Sequence, residues 1–156
     1  MSEHEFMGHA VDLAIRKMRE NHGGPFGAVI VRDGKVVAEG WNQVTSTNDP
    51  TAHAEIVAIR GACASLKTFV LEGCDIFSNC EPCPMCLGAI YWARIGRIFY
   101  CSTRADAARI GFDDDLIYRE IALPPHTRQV PALQLKHERS DFVFQEWARS
   151  PDKLRY

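Results

Sequence analysis

Four side chains in this sequence have the types and spacing of a hydrolytic metal site: His53, Glu55, Cys83 and Cys86. They occur as His53-Ala54-Glu55 and Pro82-Cys83-Pro84-Met85-Cys86. One imidazole and two thiolates form a three-ligand set for Zn2+, which leaves the fourth tetrahedral position open to water. Cys83 and Cys86 stand at i and i+3, so on a helix both sulfurs face the same way. Pro84 suits a first helical turn, and the unpaired N–H groups of that turn favour thiolates. Two thiolates and a neutral imidazole balance the charge of the ion, which brings a bound water to a pKa of about 7. Glu55 lies two residues past His53, roughly 200° around a helix and poorly placed to share the ion. A carboxylate beside the metal but off it can take a proton from water and pass it on. A closed, structural zinc module would need a fourth ligand, for which Cys80 is nearest in sequence. Cys63, Cys74 and Cys101 lie in apolar runs that suit buried thiols.

These residues need elements to hold them. Residues 3–20 read as an amphipathic helix on Phe6, Ala10, Leu13, Ala14 and Met18, ended by Gly23-Gly24-Pro25. Ala28–Val31 and Val36–Ala38 read as strands joined by an Asp33-Gly34 hairpin turn. Asn48–Thr51 is a turn, with Asp49 or Thr51 as N-cap of a helix over 52–66. A strand near 74–78, a helix opened by Pro82 and Pro84 and running through Trp92, and a strand over 97–101 follow. Helices over 103–109 and 114–121, a strand near 132–137 and a helix starting at Ser140 or Asp141 complete the chain. This alternation predicts a largely parallel, mixed sheet with helices on both faces and ligands at the carboxyl ends of its strands.

The 156 residues suit one domain with a real core. Six cysteines and no apolar leader fit a reducing cytoplasm, where Cys pairs bind metal more often than they form disulfides. A formal net charge of −2 gives no basic face for nucleic acid, and no apolar run is long enough to span a membrane.

The motif H-x-E…P-C-x-x-C is that of zinc deaminases, and the chain resembles the cytidine deaminase superfamily. Gly24–Ala28, Asn42, Asp49–Glu55 and Cys80–Ile90 resemble the branch that holds bacterial guanine deaminases and tRNA adenosine deaminases. Gly111–Asp115, Ile117-Tyr118, Phe144–Trp147 and the terminal Tyr156 resemble the guanine-specific members. The resemblance implies a three-layer α/β/α sandwich with a five-stranded mixed sheet and one zinc per subunit on His53, Cys83 and Cys86. It implies hydrolysis of guanine to xanthine and ammonia, with hydroxide attacking C2, Glu55 as proton shuttle and Asp114 as a second carrier. Phe26 and Trp92 are then candidate walls for a flat base, with His53 as a stacking face. Asn42 would read either N3 and N9 or the carbonyl edge. The resemblance further implies a homodimer in which the segment from about 138 to 156 crosses over and Tyr156 covers the partner's site. Alternative substrates are a tRNA adenosine, guanosine or an aminotriazine.

Overall fold

The computed structural model describes residues 1–156. The chain divides into two compact units, Met1–Tyr118 and Arg119–Tyr156. The first contains α1 (Glu3–Arg19), β1 (Gly27–Arg32), β2 (Lys35–Trp41), α2 (Val44–Thr47), α3 (Ala54–Leu66), β3 (Cys74–Cys80), α4 (Pro84–Trp92), β4 (Arg97–Ser102) and α5 (Arg104–Arg109). The unit boundary falls within α6 (Asp114–Ile121). A single 3-10 turn (Pro125–Thr127) and α7 (Ser140–Arg149) follow.

Local chemistry explains the elements. Ser2 and Glu5 form a reciprocal capping box at the start of α1, and basic residues occupy its last turn. The hairpin turn places Asp33 at φ 50° and Gly34 at φ 71°, the left-handed pair that a two-residue connection requires. In the sheet, alternate side chains face opposite layers. Val29, Val31 and Phe77 pack with Phe6 and Ala10 of α1. Ala28, Ile30 and Ile76 face the other way, onto Ala54, Ala58 and Ala62 of α3 and Ile90 of α4. These are the three layers.

The sheet has four strands in the order β2-β1-β3-β4, not the five expected. Residues 132–137 form no strand, and Leu133 and Leu135 are almost fully exposed. Their apolar-polar alternation reads as a strand, yet a strand exists only where a neighbour supplies a ladder. The sheet is also less parallel than expected, because only β3–β4 is a parallel pair. The βα alternation does set β2, β3 and β4 in one direction. However, β1 lies between β2 and β3 and runs against both.

The approach of α3 to the sheet is set by Gly40. A Cβ at this position would lie 2.1 Å from the Ala54 carbonyl oxygen and 2.5 Å from the Ala58 nitrogen. Neither backbone atom can yield without moving the helix that carries His53 and Glu55. Gly40→Ala is therefore expected to destabilise the fold by about 3 kcal/mol or more. The check is a thermal melt with a zinc assay, and an unchanged midpoint would remove Gly40 from this role.

Within Arg119–Tyr156, Arg128 closes the end of α6 by donating to the carbonyls of Ile121 and Leu123. Lys153 donates to the Ala148 and Ser150 carbonyls at the end of α7. No residue of α7 is buried, and Phe142, Val143, Phe144 and Trp147 are all exposed. No helix of the chain is long and apolar enough to cross a membrane.

Candidate metal centre and ligand cavity

The carboxyl ends of β2, β3 and β4 lie on one edge of the sheet, and the first turns of α3 and α4 begin beyond them. His53 is the N-cap of α3 and Cys83 the N-cap of α4, while Cys86 sits in the first turn of α4. Neither cap side chain makes a conventional capping hydrogen bond. Asp49 and Thr51, the expected caps of α3, instead pair in a tight turn in which Asp49 Oδ1 accepts from the Thr51 N–H and hydroxyl. Two positive helix ends thus converge on the ligand atoms.

His53 Nδ1 lies 3.6 Å from Cys83 Sγ and 3.5 Å from Cys86 Sγ. Tetrahedral zinc with ordinary Zn–N and Zn–S bonds requires N···S edges of roughly 3.6 Å. All three ligand atoms fall within 4.8 Å of one another. The donor set therefore fits zinc in both type and spacing. Cys80 does not join the cluster. Its Sγ lies 3.8 Å from the Thr103 carbonyl oxygen, and burial pushes its thiol up to about 12. All six cysteines are free. Two of the other three are less enclosed than their apolar surroundings in sequence suggest, since Cys63 is half-buried and Cys101 exposed.

The ligands are electrostatically prepared. A hydrogen bond from the Cys86 thiol, and a second from His53, hold the Cys83 thiol down to about 4 against the cost of its burial. The same bond raises Cys86 by fixing its proton, and contact with Cys83 raises His53. Metal binding releases these protons. Glu55 is buried and its carboxyl is pushed up, chiefly by desolvation. Ser78 donates to Glu55 Oε1 at 3.3 Å. Ser78 pairs with Ala28 on the α3-facing side of the sheet, which is why it points at α3. Glu55 is not a member of the ligand cluster.

Beside the cluster is a cavity of about 350 Å³. Of the residues expected around a substrate, Phe26, Asn42, His53, Glu55, Cys83 and Asp114 line it. Trp92 does not, and it is largely exposed. It sits six residues past Cys86, roughly 9 Å further along α4. The second aromatic wall is instead Phe112, whose ring meets Phe26 edge-on at 4.7 Å. A Cβ at Gly24 would meet both rings at 3.4 Å, in ordinary contact, so Gly24 lies against this pair. Phe112 stands two residues before Asp114, and that proximity was the available signal in the sequence. Tyr156 belongs to the second unit and is exposed.

Asn42 is fixed by its neighbours. Its Oδ1 accepts from the N–H groups of Gly24 and Val44, both at 3.2 Å. Two donors on one atom settle which end of the amide is oxygen, so the end left for a ligand is the NH2 donor.

Residues 1–102 match the family described as the cytidine and deoxycytidylate deaminase zinc-binding region. The chain belongs to this deaminase family. It is 49% identical over its whole length to guanine deaminase of Bacillus subtilis, all of which is covered. The crystal structure of a Bacillus subtilis guanine deaminase superposes with a TM-score of 0.97, covering 100% of this chain and 99% of that one at 49% identity. A guanine deaminase from Nitrosomonas europaea superposes at TM-score 0.69 and 31% identity, over 72% of this chain and 65% of that one. The tRNA-specific adenosine deaminase of Agrobacterium fabrum is 45% identical over 95 residues, 59% of this chain and 62% of that protein. His53, Cys83 and Cys86 all lie within the matched residues 1–102. The likeness to the guanine enzyme of Bacillus subtilis extends through the remaining third, which contains Phe112 and Asp114.

Proposed function

We propose that this chain is a zinc-dependent guanine deaminase that hydrolyses guanine to xanthine and ammonia. The observation that carries this reading is the buried Glu55 held beside a three-ligand His53–Cys83–Cys86 cluster, at the floor of a cavity walled by two aromatic rings. Likeness to guanine deaminase over the full chain, beyond the zinc-binding region, supports guanine over a tRNA adenosine.

His53, Cys83 and Cys86 would hold the ion. When bound, zinc acts as a Lewis acid that makes water a nucleophile near neutral pH. Phe26 and Phe112 take the faces of the base and exclude bulk water. Asn42 donates to an acceptor on its edge, for which the C6 carbonyl qualifies, since the lone pair of N3 is needed for the proton that Glu55 delivers. Glu55 removes one proton from water as its oxygen bonds to C2, and delivers that proton to N3. The second water proton must reach the exocyclic amine before the C2–N bond breaks and ammonia leaves. Asp114 lines the same cavity, and burial raises its carboxyl, which suits a second proton carrier. The products balance: oxygen becomes the C2 carbonyl of xanthine, one proton stays on N3 and one leaves with ammonia.

The cavity lies at the small end of the range for small-molecule sites, which supports a free base over its nucleoside. We assign the protein to the cytoplasm, where six free thiols persist. We also propose a homodimer in which the segment after about residue 138 crosses over and the partner's Tyr156 covers the base. The support is the apolar side of α7, which one chain leaves in water.

The test is ammonia release from zinc-loaded protein given guanine, guanosine, an aminotriazine, adenine, cytosine or a tRNA anticodon loop. Release from guanine above all others is expected. Release from the RNA alone would overturn the reading.

A further inference from the structure

The second proton carrier stands on a helix that the hydrophobic core does not hold. No residue of α6 is buried. Burial of an apolar face usually fixes a helix in place, so the position of Asp114 must come from specific contacts. Tyr118 makes them. It lies one helical turn after Asp114, on the same face. Its hydroxyl donates to the Pro82 carbonyl at 2.8 Å. Pro82 is the residue before the metal ligand Cys83.

The other end of this bond is also anchored. The Arg104 guanidinium lies over the Tyr118 ring, 4.4 Å from its centre. The Arg104 backbone N–H donates to Glu81 Oε2 at 2.9 Å, and the Glu81 N–H donates to the Ser102 carbonyl at 2.8 Å. Glu81 therefore ties the approach to Cys83 to the end of β4, while Pro82 is tied to α6. The O–H···O=C bond from Tyr118 thus joins the turn that follows Asp114 to the residue before the metal ligand Cys83.

We infer that Tyr118 is a positioning residue for the deamination: through its hydrogen bond to the Pro82 carbonyl it sets the separation between Asp114 and the His53–Cys83–Cys86 cluster. The inference rests on the deaminase reading and on Asp114 as second proton carrier. Proton transfer needs donor and acceptor within hydrogen-bond reach, and a displacement of about 1 Å at a catalytic group can cost on the order of 100-fold in rate. A carrier on an unburied helix tolerates such a displacement unless something local prevents it.

Tyr118→Phe tests this, because it removes the hydroxyl and keeps the ring under Arg104. In the zinc-loaded full chain we expect kcat for guanine to fall roughly tenfold, the scale of one hydrogen bond, with KM within about twofold and one zinc retained per chain. In an Asp114→Asn background, the same substitution should change the residual kcat by less than about twofold, since the group it positions is already disabled. Equal losses in the two backgrounds, an unchanged kcat, or loss of zinc in step with activity would each overturn the proposal. Hydrogen–deuterium exchange supplies a readout independent of turnover. Amides of residues 113–118 should exchange faster in Tyr118→Phe, while the first turns of α3 and α4 stay as protected as before. Unaltered exchange over 113–118 overturns the proposal whatever the substrate. Absence of guanine turnover in the parent protein, with faster exchange in the variant, would contradict the functional reading and leave Tyr118 as the tether.

Discussion

Glu55→Gln is expected to leave zinc bound and to slow guanine turnover by roughly 100- to 10,000-fold. The amide fills the same space and can still meet the Ser78 hydroxyl, but it cannot take a proton from water or return one to N3. Glu55 is not within the ligand cluster, so the ion keeps its three ligands. Zinc content and kcat measured on one preparation check both halves. Loss of metal would mean that Glu55 ligates the ion; near-normal turnover would mean that another group carries the first proton. The metal-free protein shows the other side of this burial. Desolvation raises the carboxyl of Glu55, so the folded chain binds its proton more tightly than the unfolded chain does. That contribution to stability is present below the ordinary carboxylate range and is lost as pH rises toward the folded-state value. Metal-free Glu55→Gln should therefore melt above the metal-free parent at pH 8, with a smaller gap at pH 5. A gap that widens at low pH would reverse this assignment.

Removing the metal should have the largest effect of all. Chelation is expected to abolish guanine turnover, and one equivalent of zinc per chain should restore it. Cys86→Ala should lose zinc and lower turnover by far more than the roughly 100-fold typical of outer contacts to a metal. Added zinc should not rescue it. Cys86 is fully buried against Ile56 and Met85 in the first turn of α4, so no other donor can take its place. Because zinc binds the folded state, the chelated parent should also melt lower. Turnover that survives exhaustive chelation would end the account.

Much of this was legible in the sequence, for definite reasons. Metal ligands announce themselves because few residue types bind zinc and helix geometry restricts their spacing. Thus His53, Cys83, Cys86 and the free carboxylate of Glu55 could be read directly. The helices with strong periodicity and the Asp33-Gly34 hairpin fell where local chemistry placed them. What stayed hidden depends on contacts between distant segments. Ser78 reaches Glu55 only through the register of β3 on β1. Phe112 rather than Trp92 walls the cavity, because the cavity opens at the first turn of α4 and Trp92 lies at its far end. The interposition of β1 between β2 and β3 has no local signature, and neither does the missing partner for residues 132–137. His53 and Cys83 are helix caps that standard cap preferences would not select, since their side chains serve a metal instead of the backbone.

Every step of the proposed chemistry depends on one open place on the ion. Zinc-edge X-ray absorption of the loaded protein counts its neighbours directly. Two sulfurs at about 2.3 Å and two light atoms at about 2.0 Å, one of them exchangeable with solvent or an inhibitor, are the predicted shell. A third sulfur, with Cys80 drawn in and no exchangeable neighbour, would contradict it.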